Sequence, residues 1–543
     1  MSNAIYQVMK PQNEPIKSYL PGSAEKLSLK KRLKEMKETA IDIPLIINGK
    51  EVRTGKIQNC IIPHNHSHIL AKYHTAGPEE MKMAIESSLE AKKEWERLDW
   101  DHRIAVFLKA AELISGPWRD TLNGATMLGQ SKNVYEAEVE AACELIDFFK
   151  FNSYFAREIF EEQPDQIKGY CNRMEYRPLE GFVLAVTPFN FTAIGGNLPS
   201  APAMVGNTSV WKPASTSIYS NYYIMKVLQE AGLPDGVINF VPGPGNVVGP
   251  IAMSHKMLGG VHFTGSTGTF NDMWKTIANN LGNYRGYPRI VGETGGKDFV
   301  FVHPSADVDA VVIAIIAGGF GYQGQKCSAT SRVYVPESLW SKIKSGLTDQ
   351  LADLKVGDVE DFTNYMGAVI DRNSFNNIKS YIDYAKESSE AEIIIGGKCN
   401  DEVGFFVDPT VIVTTNPKFK TMTEEIFGPV VTIYVYKDND YQEALDLCES
   451  TSDYGLTGSI FARDRRVIAE LEKKLTYSAG NFYINDKTTG AFVGLQPFGG
   501  ARASGTNEKV GSKHNIYRWL IPRTIKENLN PPKNYKLELM KEA

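Results

Sequence analysis

The stretch GFVLAVTPFNFTAIGGNLPSAPAMVGNTSVWKP, residues 181–213, decides the fold class. Its pattern is typical of an apolar strand, a helix punctuated by Gly and Pro, and a second apolar strand. The alternation continues through GVINFVPG and GGVHFTGS, each of which precedes a helical segment. Strands that alternate with helices predict βαβ units and a doubly wound parallel sheet.

A second series of strands begins near Phe299 and includes DFVFVHP, SATSRVYVPE, VVTIYVY and GSIFARD. Residues 78–162 have apolar positions at helical spacing, and IPLIINGKEV predicts a strand pair with Asn48-Gly49 as its turn. The chain therefore contains two predicted doubly wound α/β domains, the first of which is nucleotide-binding by position. The tail from about residue 515 is predicted to be a strand used in subunit contact.

Composition limits the class of partner. The 543 residues include 59 Lys and Arg against 64 Asp and Glu, and the formal net charge is -5. This balance gives no reason to expect nucleic acid or an anionic membrane as a partner. Six scattered cysteines without a CxxC pair indicate reduced thiols. No apolar signal segment is evident at the start, so we expect a cytoplasmic protein, with a mature form in the mitochondrial matrix as the alternative.

Three residues are candidates for the chemistry. Cys327 lies in the polar, Gly-containing loop GYQGQKCSATSR, although a free cysteine is more often a buried structural residue. Glu293, between an apolar strand and a Gly pair, is either a general base or a solvated charge. Asn190 follows the strand GFVLAVT, where it is either an oxyanion donor or a helix cap.

Seven motifs, PFNF, WKPA, FTGS, GETGGK, GQKCS, EEIFGPV and QPFGGARASG, together resemble the aldehyde dehydrogenase superfamily. They stand in the family's order and cover roughly residues 45–510. The resemblance implies that Cys327 is the nucleophile, and that its backbone N–H and the Asn190 amide stabilise the oxyanion. It also implies that Glu293 activates the water that hydrolyses the thioester.

The resemblance further implies an NAD site. Lys212 is expected to contact the adenosine ribose, and Glu425 the nicotinamide ribose. Many NAD-preferring relatives have Glu where this chain has Ser215, so NAD is the expected cofactor and use of NADP stays open. The other expected cofactor contacts are Thr187, Phe189, Gly265, Ser266, Thr267, Gly268, Thr269 and Phe427.

Within the family, AACELIDFFKFN, GETGGKDFVFVHPSADV and QPFGGARASGTN resemble the branch that oxidises L-glutamate γ-semialdehyde, the open form of 1-pyrroline-5-carboxylate, in proline catabolism. In that branch Ser328 and the backbone N–H groups of Gly490 and Ala491 would hold the substrate carboxylate. Phe191 and Phe498 would enclose its methylene chain. Glu144 would lie near its ammonium group, with a solvated helix charge as an equal alternative.

The resemblance also implies a third, small β element for oligomerisation, formed by the hairpin-like segment KGYCNRMEYRPLEG and the tail. The predicted boundaries are an N-terminal surface arm at 1–44, the NAD-binding domain at 45–163 and 183–293, the catalytic domain at 294–490, and the oligomerisation element at 164–182 and 510–543. A homodimer or an assembly of dimers is expected. Functional coupling to proline dehydrogenase is an open possibility.

Other interpretations remain open at this stage. The chain could be a catalytically silent relative, or it could oxidise another carboxylated semialdehyde such as succinic semialdehyde. A thioesterase or cysteine protease needs a His partner, and no His stands in a motif beside Cys327. His64, His66 and His68 form H-x-H-x-H, for which a surface strand or loop is favoured over a metal site, so no metal is expected.

Overall fold

The computed structural model describes residues 6–541. Helices and strands alternate along most of the chain. The helices are α1 (Ala24–Glu38), α2 (Pro78–Trp95), α3 (Trp100–Ser115), α4 (Arg119–Gln130), α5 (Val134–Ala137), α6 (Glu144–Glu161), α7 (Thr192–Met204), α8 (Ile218–Glu230), α9 (Gly245–Met253), α10 (Thr267–Asn279), α11 (Val308–Phe320), α12 (Glu337–Ala352), α13 (Arg372–Glu387), α14 (Lys420–Thr423), α15 (Tyr441–Ser450), α16 (Arg465–Lys474) and α17 (Lys513–Tyr517).

The strands are β1 (Ile41–Ile43), β2 (Leu45–Ile47), β3 (Lys50–Val52), β4 (Ile57–Ile62), β5 (Asn65–His74), β6 (Tyr170–Pro178), β7 (Phe182–Val186), β8 (Ser209–Lys212), β9 (Ile238–Phe240), β10 (Leu258–Thr264), β11 (Arg289–Glu293), β12 (Asp298–Val302), β13 (Thr330–Pro336), β14 (Ala391–Ile395), β15 (Cys399–Asn400), β16 (Phe406–Val407), β17 (Thr410–Thr414), β18 (Val430–Tyr436), β19 (Tyr454–Gly455), β20 (Thr457–Phe461), β21 (Asn481–Ile484), β22 (Ala501–Arg502) and β23 (Leu520–Asn528).

The first large sheet has seven strands in the order β11-β10-β7-β8-β9-β2-β3. Strands β7 to β11 run parallel, and β2 and β3 close one edge as an antiparallel pair. Asn48 and Gly49 form the turn of that pair, and both have positive φ angles, as a tight hairpin turn requires. The order reverses beside β7, the first strand of the stretch that predicted the fold, so the doubly wound prediction is confirmed.

The second large sheet also has seven strands, in the order β14-β17-β18-β13-β12-β20-β21. Its strands run parallel except β14, which lies antiparallel at one edge. The apolar helix α11 covers this sheet and leads into the loop that contains Cys327. The two sheets, with helices on their faces, confirm the predicted fold class.

A separate two-stranded sheet joins β6 to β23 over nine antiparallel residue pairs. The segment 168–181 was predicted as a local hairpin, and this detail is wrong because β6 pairs with a strand some 350 residues later in the chain. The predicted strand in the tail is confirmed as β23. Trp519, at its start, is buried against Ile159 and Val291, so the sheet is attached to the body of the protein through an apolar contact.

The N-terminal segment is less superficial than the sequence suggests. Helix α1 forms as predicted, and its buried face includes Leu29 and Leu33. The extended residues before it were expected to lie on the surface, but Tyr19 is buried and the Glu14 side chain is only 9% exposed. The prediction of a surface arm is therefore wrong for these two positions. None of the helices within residues 6–541 is both long and apolar enough to cross a membrane.

The three histidines of the H-x-H-x-H segment point to different partners. His64 is buried and contacts the Ser131 hydroxyl at 3.0 Å, whereas His66 and His68 contact separate backbone carbonyl oxygens. Among residues 6–541, no group of three or more His, Cys, Asp or Glu side chains could hold a metal ion. The segment is thus a structural part of β4 and β5 and their turn, with His64 more deeply buried than a surface position.

Candidate active site

Two of the three predicted chemical residues, Glu293 and Cys327, line one cavity, and the third, Asn190, contacts the loop that contains Cys327. Asn190 and Glu293 come from the carboxyl ends of β7 and β11, which are neighbours of β10 in the first sheet. The carboxyl edge is where open α/β sheets place their ligands. Cys327 enters from the second sheet, on the loop between α11 and β13. The cavity is lined by, among others, Glu144, Phe191, Glu293, Cys327, Ser328, Gly490, Ala491 and Phe498.

The loop that contains Cys327 is held by an unusual backbone and by buried hydrogen bonds. Tyr322, Gln323 and Gly324 all have positive φ angles, of 47°, 55° and 63°. Such a run is unfavourable for residues with side chains, so surrounding contacts must enforce it. The Tyr322 hydroxyl donates to the Gln130 carbonyl at 3.0 Å, and the Gln323 amide donates to the Ala368 carbonyl at 2.7 Å. The nucleophile loop is therefore tied to both halves of the protein.

Cys327 is partly exposed at the cavity, and its surroundings favour the neutral thiol. Burial raises the pKa of Cys327 well above its usual value, and the nearby carboxylates Asp298, Glu425 and Glu293 raise it further. A thiolate is the nucleophilic form of cysteine, so these protein surroundings alone favour the unreactive form of the residue. Activation has to come from proton removal or from positive charge that a ligand brings.

Glu293 is buried at the end of β11. Its Oε2 accepts a hydrogen bond from the Gly500 backbone N–H at 2.9 Å. Burial raises the pKa of Glu293 well above its usual value, the hydrogen bond from Gly500 lowers it, and the charge of Glu508 raises it. A carboxylate in such an environment is a stronger base than one in water, which suits general-base chemistry. The alternative of a solvated surface charge is not supported.

Asn190 is buried beside the nucleophile loop. Its Nδ2 donates to the Gln325 carbonyl oxygen at 3.1 Å, two residues before Cys327. A carboxamide nitrogen carries two N–H groups, and this bond uses one of them. Helix α7 begins two residues later, with Phe191 at its N-cap position, so Asn190 does not cap that helix. The structure thus places the amide next to the nucleophile loop.

The expected cofactor residues lie along the carboxyl edge of the first sheet. The Thr187 hydroxyl accepts a hydrogen bond from the Trp211 indole at 3.0 Å. The rings of Phe189 and Phe427 meet edge to face with centroids 5.7 Å apart, and Phe427 has a φ of 60°. Since Phe189 follows β7 of the first sheet and Phe427 precedes β18 of the second, this aromatic pair brings together the two sides of the expected cofactor path.

The turn Gly265–Thr269 joins β10 to α10. Ser266 caps α10, because its hydroxyl accepts a hydrogen bond from the Thr269 backbone N–H. Thr267 and Gly268 form the first turn of this helix, and a Cβ placed on Gly268 would meet open space. The predicted pyrophosphate position is therefore a true helix N-terminus beside a strand end, where anions are favoured. It is also an ordinary N-cap, the alternative that the residue types allow.

Lys212 and Glu425 supply opposite charges on the two sides of this region. Burial lowers the pKa of Lys212. The Glu425 Oε1 accepts a hydrogen bond from the Gly296 backbone N–H at 3.0 Å. Burial raises the pKa of Glu425 to about 7, while that hydrogen bond and the charge of Lys297 lower it. Both side chains are thus polar groups in low-dielectric surroundings, where a bound hydroxyl group would be a favourable partner.

The remaining predicted substrate residues line the cavity around Cys327. Ser328 and Ala491 lie on its wall, and the Ser328 carbonyl accepts a hydrogen bond from the Thr488 hydroxyl at 2.7 Å. Gly490 has a φ of 94°, a conformation that favours glycine. Phe191 lies under the buried ammonium of Lys132, 4.4 Å from the ring centroid. Phe498 is fixed by two backbone hydrogen bonds.

Glu144 also lines the cavity and is not a solvated helix charge. Burial raises the pKa of Glu144 to about 8, and the charge of Glu140 raises it further. Its buried Oε2 has no hydrogen-bond partner in the part of the chain that the structure describes. A buried carboxylate oxygen without a partner is costly unless a ligand satisfies it. The position therefore favours a ligand that carries hydrogen-bond donors or positive charge.

Several charged residues of the site were not singled out from the sequence. Asp298 is buried, and its Oδ1 accepts a hydrogen bond from the Thr457 backbone N–H at 2.7 Å. Lys326, next to the nucleophile, pairs with Glu140 at 2.6 Å. Glu14, from the N-terminal arm, lines the cavity. The motif GETGGKD contains Asp298 and the motif GQKCS contains Lys326. Only their tertiary contacts distinguish these two residues from their neighbours in the sequence.

Comparison with known proteins agrees with this geometry. The family model described as "Aldehyde dehydrogenase family" matches residues 51–525. The chain belongs to the aldehyde dehydrogenase family, as the seven motifs predicted.

Individual proteins that are similar to this chain indicate one branch of the family. The chain is 53% identical over 524 residues to the mitochondrial delta-1-pyrroline-5-carboxylate dehydrogenase of Dictyostelium discoideum. This alignment covers 96% of this chain and 94% of the relative. The NAD-bound crystal structure of delta-pyrroline-5-carboxylate dehydrogenase from Mycobacterium tuberculosis is 45% identical, with a TM-score of 0.96 and full coverage of both chains. Proline utilization A from Bdellovibrio bacteriovorus is 30% identical, with a TM-score of 0.91 over 97% of this chain and 54% of that one.

The electrostatic environment of the thiol generates a testable prediction. Burial raises the pKa of Asp298 to about 8, so its charge is present above that pH and raises the pKa of the Cys327 thiol. Asp298→Asn keeps the hydrogen bond from Thr457 and removes the charge. At pH 9 we expect Cys327 in the cofactor-free variant to react with iodoacetamide about three- to tenfold faster, since one pKa unit is a tenfold change in thiolate.

Below about pH 7 the wild-type Asp298 is mostly protonated, and the two rates should converge. Peptide mass spectrometry assigns the label to Cys327, and Asp408→Asn, a half-buried carboxyl elsewhere, is the matched control. An unchanged or slower reaction at pH 9 would contradict the assignment of Asp298 as a charge that acts on the thiol.

Proposed function

We propose that this protein oxidises L-glutamate γ-semialdehyde, the open form of 1-pyrroline-5-carboxylate, to L-glutamate with NAD as the hydride acceptor. The observation that carries the proposal is the single cavity that Cys327 lines together with the Gly490–Ala491 loop and with Glu144, whose buried Oε2 has no hydrogen-bond partner among the described residues. The named activity of relatives that match nearly the whole chain supports the same substrate. This is the second step of proline catabolism.

Two parts of the cavity wall match the two charged groups of this substrate, which share one carbon atom. Backbone N–H groups of Gly490 and Ala491, with the Ser328 hydroxyl, suit the α-carboxylate. Glu144 suits the α-ammonium, whose charge would lower the pKa of this buried carboxyl and hold it ionised. Phe191 and Phe498 line the cavity and suit the methylene chain that joins the aldehyde carbon to the carbon that carries both charged groups. Succinic semialdehyde has no ammonium group, so it would leave the Glu144 carboxylate without a partner.

The first chemical step takes place at the sulfur of Cys327. The thiolate attacks the aldehyde carbon, a C–S bond forms, and the carbonyl electron pair moves to oxygen. The Asn190 amide and the Cys327 backbone N–H are the donors that we assign to this oxyanion. One such donor contributes about 3 kcal/mol in related acyl-transfer reactions. The product of the step is a thiohemiacetal.

Glu293 acts in the second half of the reaction. Bound NAD would supply the hydride acceptor that turns the thiohemiacetal into a thioester, which Cys327 then holds. The Glu293 carboxylate then removes a proton from a water molecule, whose oxygen attacks the thioester carbon. The C–S bond breaks, the carboxylic acid is released, and the sulfur regains its electron pair. The raised pKa of Glu293 suits this general-base role near neutral pH.

The residues present fit a dinucleotide at the edge of the first sheet. The N-terminus of α10, with Gly265, Ser266 and Gly268, suits the pyrophosphate, because its backbone N–H groups and the helix dipole favour anions. Lys212 suits the hydroxyls of the adenosine ribose and Glu425 those of the nicotinamide ribose. Thr187, Phe189, Thr267, Thr269 and Phe427 complete the path. Positive charge on the bound nicotinamide would offset the three carboxylates that disfavour the Cys327 thiolate.

The domains, assembly and setting follow as parts of the proposal. We infer that the first sheet belongs to the NAD-binding domain (45–163 and 183–293), that 294–490 is catalytic, and that β6 with β23 forms the oligomerisation element of a dimer or an assembly of dimers. The mitochondrial name of the Dictyostelium relative favours the matrix over the expected cytoplasm. Resemblance to about half of proline utilization A supports coupling to proline dehydrogenase.

One assay tests the substrate. Purified protein with NAD should form NADH on addition of 1-pyrroline-5-carboxylate, and the kcat/KM should exceed that for propanal and for succinic semialdehyde by at least about tenfold, because only the semialdehyde of glutamate satisfies both parts of the cavity wall. Spectrophotometry at 340 nm follows NADH, and Cys327→Ala is the blank. A higher kcat/KM for propanal would exclude the proposed substrate, and no NADH with any aldehyde would favour a catalytically silent relative.

The role of Glu293 gives a second prediction. Glu293→Gln removes the base and keeps the size of the side chain. We expect a burst of about one NADH per active site followed by a steady rate reduced roughly 10²- to 10⁴-fold, because the thioester forms but water is not activated. Stopped-flow absorbance separates the two phases, and Cys327→Ala should lose both. A steady-state rate within threefold of wild type would assign the base to another group.

The cofactor preference is testable at Ser215. This residue is exposed in the turn Ser215–Ser217, just before α8 and three positions after Lys212. We expect a higher kcat/KM for NAD than for NADP in wild type. Ser215→Glu should lower kcat/KM for NADP about tenfold or more through repulsion of the 2′-phosphate, and that for NAD less than about threefold. Ser215→Gln is the neutral control. Equal losses for both cofactors would show that Ser215 does not face the 2′ position.

A further inference from the structure

We propose that Asn13, on the N-terminal arm, is a specificity-determining residue that fixes the distance between the loop assigned to the substrate carboxylate and the helix that carries Glu144, the carboxylate end and the ammonium end of the site. The inference rests on the proposed function, because it concerns recognition of a substrate that carries both a carboxylate and an ammonium group. Asn13 does not touch the reacting atoms in this assignment. It acts through the loop and the helix that hold those two groups.

The first contact of Asn13 is with the loop at the carboxylate end. Its Nδ2 donates to the Val493 carbonyl oxygen at 2.9 Å. Val493 is buried, lines the cavity and lies two residues after Ala491, whose backbone N–H we assign to the carboxylate. The other end of this loop is held to the nucleophile loop, because the Thr488 hydroxyl donates to the Ser328 carbonyl. Asn13 therefore restrains the end of the loop that faces away from Cys327.

The second contact is with the helix at the ammonium end. The Asn13 Nδ2 also donates to Asp147 Oδ2 at 2.7 Å, and the Glu14 backbone N–H donates to Asp147 Oδ1 at 2.7 Å. Asp147 stands three residues after Glu144 on α6, so both side chains point to the same face of the helix, and both line the cavity. The amide of one residue thus bridges the two recognition elements.

The arm itself is firmly held, so it can act as a fixed spacer. The Glu14 carboxylate pairs with Arg119 at 2.8 Å and with Lys150 at 3.1 Å, and it accepts a hydrogen bond from the Ser115 hydroxyl at 2.7 Å. The Tyr19 hydroxyl donates to Glu138 at 2.8 Å. Hydrogen bonds in which the donor or the acceptor is charged are the stronger class, and these hold the arm directly after its contact with the loop.

A fixed distance matters only for a ligand that uses both ends. L-Glutamate γ-semialdehyde carries its carboxylate and its ammonium on one carbon, so the loop and Glu144 must both be in place for full affinity. Propanal uses neither end, and glutarate, which has no ammonium group, uses only the loop. Loss of the bridge should therefore weaken binding of the natural substrate selectively and leave the chemistry at Cys327 unchanged.

The test compares Asn13→Ala and the isosteric Asn13→Asp with Gln12→Ala, the exposed neighbour on the same arm. We expect the KM for 1-pyrroline-5-carboxylate to rise about five- to tenfold in Asn13→Ala, as the loss of hydrogen bonds to a carboxylate and to a carbonyl suggests. Asn13→Asp should show at least the same rise, since its carboxylate would face Asp147 and the Val493 carbonyl. The kcat, and the kcat/KM for propanal, should stay within twofold of wild type.

Product inhibition distinguishes a role in substrate recognition from a merely structural role, because a structural role would not change inhibition by glutamate and by glutarate to different extents. Inhibition by L-glutamate should weaken about five- to tenfold in Asn13→Ala, whereas inhibition by glutarate should change less than twofold. The thermal midpoint of each variant is measured in parallel.

Equal losses for propanal and 1-pyrroline-5-carboxylate, an unchanged KM, or equal weakening of glutamate and glutarate would each overturn the proposal for Asn13. The failure of the proposed function is a distinct result, because wild type itself would then show no preference for 1-pyrroline-5-carboxylate over propanal.

Discussion

The site depends on one constraint, the left-handed backbone run from Tyr322 to Gly324. Few residues with side chains adopt this conformation without support, and here the support comes from buried hydrogen bonds to Gln130 and Ala368. These contacts fix the nucleophile loop to a helix of the first half and to a segment of the second half. Asn190 makes a further contact with the loop, through the Gln325 carbonyl. The thiol therefore has a defined position relative to Glu293, although the two residues belong to different sheets.

Desolvation is the second constraint on the site, and it raises the pKa values of its carboxyl groups and of its thiol. Burial raises the pKa values of Glu293, Glu425, Asp298 and Cys327 above their usual values. In such surroundings each group prefers its neutral form until a ligand of the opposite charge or a hydrogen-bond donor arrives. The arrangement makes the reactivity of the protein conditional on what is bound. It also explains how carboxyl groups with raised pKa values can lie next to the Cys327 thiol without removing its proton.

The sequence predicted the parts of the structure that local pattern controls. The alternation of strands and helices, the Asn48-Gly49 turn and the strand in the tail are all present, because they follow from side-chain periodicity and turn chemistry. The seven motifs located Cys327, Glu293 and Asn190 in one region. The sequence could not show that β6 pairs with β23, or that Glu14 reaches the cavity, since both depend on contacts between distant segments. The burial of Glu144 was equally undetermined, because a helical glutamate has the same local pattern whether it is buried or exposed.

The raised pKa of the Cys327 thiol has a consequence for its reaction with oxidants. Peroxide and related oxidants react with the thiolate of cysteine and lead first to sulfenic acid and then to irreversible states. A thiol that stays protonated until a ligand binds offers such oxidants little of the reactive form. Burial and the nearby carboxyl groups, which raise the pKa of Cys327, therefore also lower the fraction of this residue that such oxidants can attack.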